Sequence, residues 1–244
     1  MENIIKPGDK LEIRIVQQVE MNAATGEPIH VYKSSVEDVL DEDTLEIDMP
    51  IEGGRVLLLP LDVRYEFIFF SGSSLYRAKG VIVERYRRDN IYMLKIAFKT
   101  PLAKYQRREY YRYPCLIDIQ FALLDEEEWN KDNMAQLFAD IAKHDSDRVK
   151  NGRVLDLSGG GMRFSTLESL QGNDYLLIVI RLCNDTFDKK YAIPARLIAS
   201  DHAEGYKSLF HNRVQFVFRD IKMREEIIRF IFEEERSMRR KNTL

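Results

Sequence analysis

The 244 residues are 45% hydrophobic and 32% charged with a net charge of -3, which describes a folded chain with material for one large core or two ordinary ones and excludes a disordered one. No apolar run approaches the ~18 residues of a membrane-spanning helix. A sequence pI near 5.9 argues against a large nucleic-acid-binding surface.

The first residues, MENIIKPGDKLEIRI, lack a basic stretch followed by an apolar one, so no secretory signal is expected. Cys115 and Cys183 are too few for a disulfide framework. Both lie in apolar, strand-like runs and are expected as buried thiols of a protein in the reducing cytosol.

Short strands dominate the first hundred residues. Leu11, Ile13 and Ile15 alternate with polar residues, as do Leu45, Ile47 and Met49. Further strands are expected at 28–33, 55–61, 64–70, 75–86 and 91–99, with turns at Gly53-Gly54, Ser71-Gly72-Ser73 and Asp89-Asn90. Regular short strands of this kind predict a small barrel over residues 1–100. Residues 101–114, bracketed by Pro101 and Pro114 and rich in charge, read as a basic interdomain linker.

A second strand series follows at 115–124, 153–157, 161–165, 175–183, 190–200 and 206–218, predicting a second barrel within 115–244. Met134, Leu137, Phe138 and Ile141 recur at helical spacing, so 126–143 is an expected amphipathic helix inserted between strands. A final helix is expected over about 220–240, with Asp220 as its N-cap and Met223, Ile227, Phe230 and Ile231 on one face. The fold class is therefore mainly β: two small barrels, a helical insert and a C-terminal helix.

Charge is segregated along this order. Residues 34–54 carry eight carboxylates and no Lys or Arg, and residues 118–147 carry nine against Lys131 and Lys143. Between them, residues 77–112 hold 11 basic residues against Glu84, Asp89 and Glu109, a local excess of +8. The stretch YQRREYYRY at 105–113 concentrates Arg107, Arg108 and Arg112 among four tyrosines. Such a cluster is either a solvated charged face or a site for a phosphorylated ligand, because Arg binds phosphate in a bidentate fork and stacks on planar rings.

Catalytic patterns are missing. His30, His144, His202 and His211 are scattered, and none stands at metal-ligand spacing from another His or Cys. Ser158 in LDLSGGG has Asp156 where a nucleophile elbow needs glycine. The run Gly159-Gly160-Gly161 does not continue as a dinucleotide or Walker motif. Neither an enzyme nor a metal or cofactor is expected. Taken alone, RVLDLSGGGMRFST at 153–166 reads as a hairpin whose Asp and Ser bond local amides and whose glycines supply positive φ. The same turn offers a carboxylate for base N–H donors, a hydroxyl for a phosphate oxygen and, at Gly161, room for a ligand to approach backbone.

Arg108-Glu-Tyr-Tyr-Arg112, preceded by Arg107, and Asp156-Leu-Ser158-Gly-Gly-Gly161 together resemble the RxxxR and [D/N]xSxxG motifs of the PilZ domain. The first hundred residues are similar to the barrel that precedes PilZ in flagellar-brake (YcgR-type) proteins. The resemblance spans nearly the whole chain, although the helical insert separates the two motifs more widely than the compact family pattern. It implies binding of the bacterial second messenger cyclic di-GMP. Arg107, Arg108 and Arg112 would meet phosphates and guanine edges, and Asp156 would accept from guanine. Ser158 would contact a phosphate or sugar oxygen, Gly161 would keep the turn open, and Arg163 would add a contact. It further implies a ligand-driven rearrangement of the two domains that regulates motility through the flagellar stator or rotor, in the cytoplasm or at the basal body. Control of exopolysaccharide or cellulose synthesis is the alternative output. A nucleic-acid-binding barrel pair is the alternative of a different class.

Overall fold

Alternation of apolar and polar residues becomes inward and outward facing strands in the computed structural model, which describes residues 4–170, 175–206 and 208–241. The chain divides into two compact units, one ending at Arg107 and the other beginning at Arg108.

The N-terminal unit runs β1 (Lys10–Ile15), α1 (Val16–Thr25), β2 (Tyr32–Val39), β3 (Thr44–Asp48), β4 (Ile51–Glu52), β5 (Arg55–Val56), β6 (Arg64–Ser71), β7 (Ser74–Arg88), β8 (Ile91–Phe98) and β9 (Ala103–Lys104). Its antiparallel order β6-β1-β2-β3-β8-β7 closes through a β6–β7 pairing into a barrel. Leu11, Ile13, Leu45, Ile47, Phe67 and Phe69 fill the interior. Asp89 and Asn90, at φ 46° and 68°, make the turn between β7 and β8. Residues 103–104, inside the stretch expected as a linker, instead pair with Tyr76 and Arg77 of β7.

Three elements depart from the sequence reading. Helix α1 carries no apolar period, since Val16 is its only buried residue, and Gly26 ends it at φ 75°. The strand expected at 28–33 therefore begins only at Tyr32. The strand expected at 55–61 is reduced to β5, which pairs with β4 alone.

The C-terminal unit comprises β10 (Tyr113–Leu123), α2 (Glu126–Trp129), α3 (Met134–His144), a single 3-10 turn (Ser146–Arg148), β11 (Lys150–Ser158), β12 (Gly161–Thr166), β13 (Tyr175–Cys183), β14 (Asp188–His202), β15 (Phe210–Phe216) and α4 (Ile221–Lys241). The closed barrel has the order β10-β11-β12-β15-β14-β13. Helix α4 starts where Lys222 N–H donates to Asp220 Oδ1 at 2.9 Å. It buries Ile227, Phe230 and Ile231 in the barrel's core. Tyr191 and Tyr113 fix its polar edge by donating to Glu226 at 2.8 Å and Glu234 at 3.3 Å.

The expected single helix at 126–143 is two. Asp125 and Glu128 close a capping box on α2, and Asn133 accepts the Gln136 N–H at 3.0 Å to begin α3. Met134, Leu137, Phe138 and Ile141 pack on Ala122, Leu124, Leu177 and Val179, forming a second core against the outside of β10 and β13. Those strand residues face away from the barrel interior, and the insert is what removes them from water.

The two cysteines are not alike. Cys115 is half-buried and Cys183, expected to be buried, is exposed near the end of β13. Desolvation, with smaller contributions from Asp156 and Glu234, pushes the Cys115 thiol up to about 12. At pH 8 Cys115 is then held as the thiol. A thiol-exchange reagent at pH 8 is expected to titrate Cys183 quickly and Cys115 only after denaturation; equal rates for both thiols would contradict this packing. Phe138→Ala is expected to destabilise the C-terminal unit by about 3–5 kcal/mol in urea unfolding, the cost of emptying a buried aromatic site, and an unchanged midpoint would show that α3 is not part of a core.

Candidate functional site

The β11–β12 hairpin turns through Gly159 and Gly160. Ser158 Oγ donates to the Gly161 carbonyl at 2.9 Å and accepts from the Gly160 N–H at 3.4 Å, so the hydroxyl braces the turn from within. The three glycines are not there for positive φ, as the sequence suggests; none of them adopts it. They are there for space. A Cβ at Gly161 would lie 2.1 Å from the Val214 carbonyl oxygen, so this glycine admits the backbone of β15 rather than a ligand. A Cβ at Gly159 would lie 2.6 Å from Tyr110 Cδ1 and 2.7 Å from Ile228 Cγ1, and one at Gly160 would lie 3.1 Å from Tyr110 Cδ2.

The Tyr110 ring thus rests on the glycine turn. Tyr110 stands midway between Arg108 and Arg112, so its seat brings the basic segment to the strand ends. Tyr113 is buried in the core and Tyr111 is exposed.

Arg108, Arg112, Asp156 and Arg163 line one cleft of about 540 Å³, together with Asp201, His202, His211 and Arg213. The sheet register explains the convergence. Asp156 of β11 is opposite Arg163 of β12, Arg163 is opposite Arg213 of β15, and His211 is opposite Asp201 of β14. Arg163 Nε donates to Asp156 at 2.8 Å, and Arg213 Nη2 donates to Asp201 at 2.7 Å. Four guanidiniums against two carboxylates give the cleft a formal charge of +2 from its arginines and aspartates. Both arginines and Asp201 are well exposed, so these pairs stabilise by only about 0–1 kcal/mol and exchange readily for a better anion.

Of the residues singled out in the sequence, Ser158 and Gly161 shape the turn without lining the cleft. Arg107 belongs to the N-terminal unit, where its Nη1 lies 3.2 Å from Glu12 Oε1 and its guanidinium sits 5.3 Å from the centre of the Phe70 ring. Asp201, His202, His211 and Arg213 are additional. His211 and Arg213 have a signal in the period-two pattern of β15, in which Phe210, Asn212, Val214 and Phe216 alternate with His211, Arg213 and Gln215, whereas Asp201 and His202 end β14.

A larger cavity of about 720 Å³ lies in the N-terminal unit, among Lys10, Lys33, Met49, Ile51, Ile91 and Tyr92. It is mainly apolar and has no guanidinium in its lining, so it lacks the bidentate donors of the cleft. No helix among the described residues is long and apolar enough to cross a membrane.

Residues 6–98 match the family model described as flagellar protein YcgR, PilZNR, and residues 106–233 match the PilZ domain. No curated protein matches the chain. The solved structure of the Bacillus subtilis inhibitor of motility (MotI/DgrA) is similar, with a TM-score of 0.70 at 14% identity, covering 96% of this chain and 99% of that one. That of Escherichia coli YcgR in complex with c-di-GMP has a TM-score of 0.49 at 15% identity, covering 97% of this chain and 88% of that one. At 14% identity, the likeness to the first of these shows a shared fold alone. The PilZ match alone takes in more than half of the residues, and the chain belongs to the PilZ-domain family, with a YcgR-type domain ahead of the PilZ domain.

Proposed function

We propose that the protein is a receptor for cyclic di-GMP and that the ligand lies in the cleft beside the Tyr110 seat. The observation that carries this reading is the meeting of Arg108, Arg112 and Asp156 in one cleft of charge +2. Cyclic di-GMP is a dianion with two guanines. A guanidinium donates to phosphate oxygens or to guanine O6 and N7, and a carboxylate accepts from the guanine Watson–Crick edge. Arg108 and Arg112 take the first role and Asp156 the second. Arg163, already beside Asp156, adds a donor. Ser158 and Gly161 act through the turn they build.

Family membership supports the choice of ligand, and the YcgR-type domain supports an output at the flagellum. Arg107 is the residue through which binding reaches the N-terminal unit. Its partly exposed pair with Glu12 is weak, and a phosphate is the stronger acceptor. Exchange of Glu12 for the ligand changes the arrangement of the two units by the difference in ligand affinity between arrangements. The rearranged protein then engages a stator or rotor component at the basal body, in the cytoplasm. The ligand is bound and not turned over.

Titration calorimetry of the full chain with cyclic di-GMP is expected to show saturable binding and unaltered nucleotide afterwards. Arg108→Ala and Asp156→Ala are each expected to weaken it by at least about 1–3 kcal/mol, the scale of a lost bidentate base contact. Absence of heat from the intact chain would defeat the reading. Equal binding by all three proteins would move the site elsewhere.

A further inference from the structure

We infer that the anion site continues past the two motifs onto β15 and β14. Arg213, opposite Arg163, completes a second phosphate subsite, and Asp201 competes with the phosphate for it. This rests on the reading of the cleft as a cyclic di-GMP site.

Like charges directly opposite each other on neighbouring strands repel. Arg163 and Arg213 stand in that relation. Each is compensated on its outer side by one aspartate, which gives a row Asp156, Arg163, Arg213, Asp201 across four consecutive strands. Asp156 holds Arg163 through Nε and Asp201 holds Arg213 through Nη2; neither guanidinium makes another hydrogen bond among the described residues. A guanidinium has five N–H donors. Several therefore remain on each side of the gap between the two arginines, and an anion placed there relieves their repulsion.

The row by itself is neutral, so it does not attract an anion as Arg108 and Arg112 do. It offers a second position to a ligand that those two already hold. A nucleotide with two phosphates has the second group to place. The two aspartates differ in grip: the Asp156 side chain is 15% exposed and the Asp201 side chain 64%. Water screens the outer pair more strongly, so Asp201 is the carboxylate that gives up its arginine. Arg213 is then a ligand-binding residue, and Asp201 tunes affinity by occupying it.

The test sets two substitutions against each other, because both break the same ion pair. Arg213→Ala removes the donor, and Asp201→Asn removes only its competitor. By titration calorimetry with cyclic di-GMP, Arg213→Ala is expected to weaken binding about tenfold or more, the loss of one hydrogen bond to a charged group. Asp201→Asn is expected to bind at least as tightly as the intact chain, and thermal unfolding should shift alike in both variants. Arg181→Ala, which breaks the exposed Arg181–Asp188 pair outside the cleft, should leave affinity unchanged. Unchanged binding by Arg213→Ala, or equal weakening by Arg213→Ala and Asp201→Asn, would overturn the inference while leaving cyclic di-GMP binding in place. A titration in which the intact chain fails to bind overturns the proposed function and this inference with it.

Discussion

The contact of the Tyr110 ring with Gly159 and Gly160 is the constraint on which the cleft depends. Arg108 and Arg112 flank Tyr110 on an exposed segment that precedes β10, and the segment has no strand pairing to hold it there. A Cβ at position 159 would overlap the ring, and one at position 160 would crowd it. Bare backbone at the turn therefore positions both guanidiniums against the end of β11, where Asp156 stands. Gly161 does the equivalent for the sheet: without a Cβ it lets β12 lie against β15, and that register sets Arg163 opposite Arg213. Three consecutive glycines thus serve close approach, Gly159 and Gly160 toward Tyr110 and Gly161 toward β15.

Electrostatics adds direction to this geometry. The basic excess of residues 77–112 is not one surface. Arg77 lies over Tyr105 and beside Glu66, Arg88 pairs with Glu46, and Arg107 pairs with Glu12, all within the N-terminal unit. Arg108 and Arg112 belong to the C-terminal unit. The cleft draws the rest of its cations from the strands, at positions where cross-strand pairing with Asp156 and Asp201 keeps them ordered at little cost in availability. A protein of net charge -3 can in this way hold a local site of +2.

Much of this was legible in the sequence where periodicity and burial coincide. The strands around Leu11, Leu45, Phe67 and Ile178 have one or both faces buried, and their apolar residues mark them. Helix α1 escaped because only Val16 is buried, so its helical period leaves no apolar trace. The insert was legible as helix through Met134, Leu137, Phe138 and Ile141, but not as two helices, because its break depends on capping by Asp125 and Asn133. Its role was also hidden, since Ala122 and Val179 reveal an outer core only once strand facing is known. Cys183 shows the converse error, an apolar run whose last residue is solvated. For the cleft, local motifs pointed to Arg108, Arg112, Asp156 and Arg163. Arg213 and Asp201 enter through sheet register across distant strands, which linear spacing does not encode. Arg107 departs for a similar reason: one peptide bond separates it from Arg108, yet its acidic partner lies on β1.

The central claim is that one cleft of the C-terminal unit receives the dianion through named guanidiniums. Arginine side-chain Nε–H resonances, followed by nuclear magnetic resonance during titration with cyclic di-GMP, test it most directly. The account predicts that Arg108, Arg112, Arg163 and Arg213 shift together and saturate at one ligand concentration, while Arg77 and Arg181 stay in place. Unmoved cleft arginines in a protein that binds the nucleotide would contradict it.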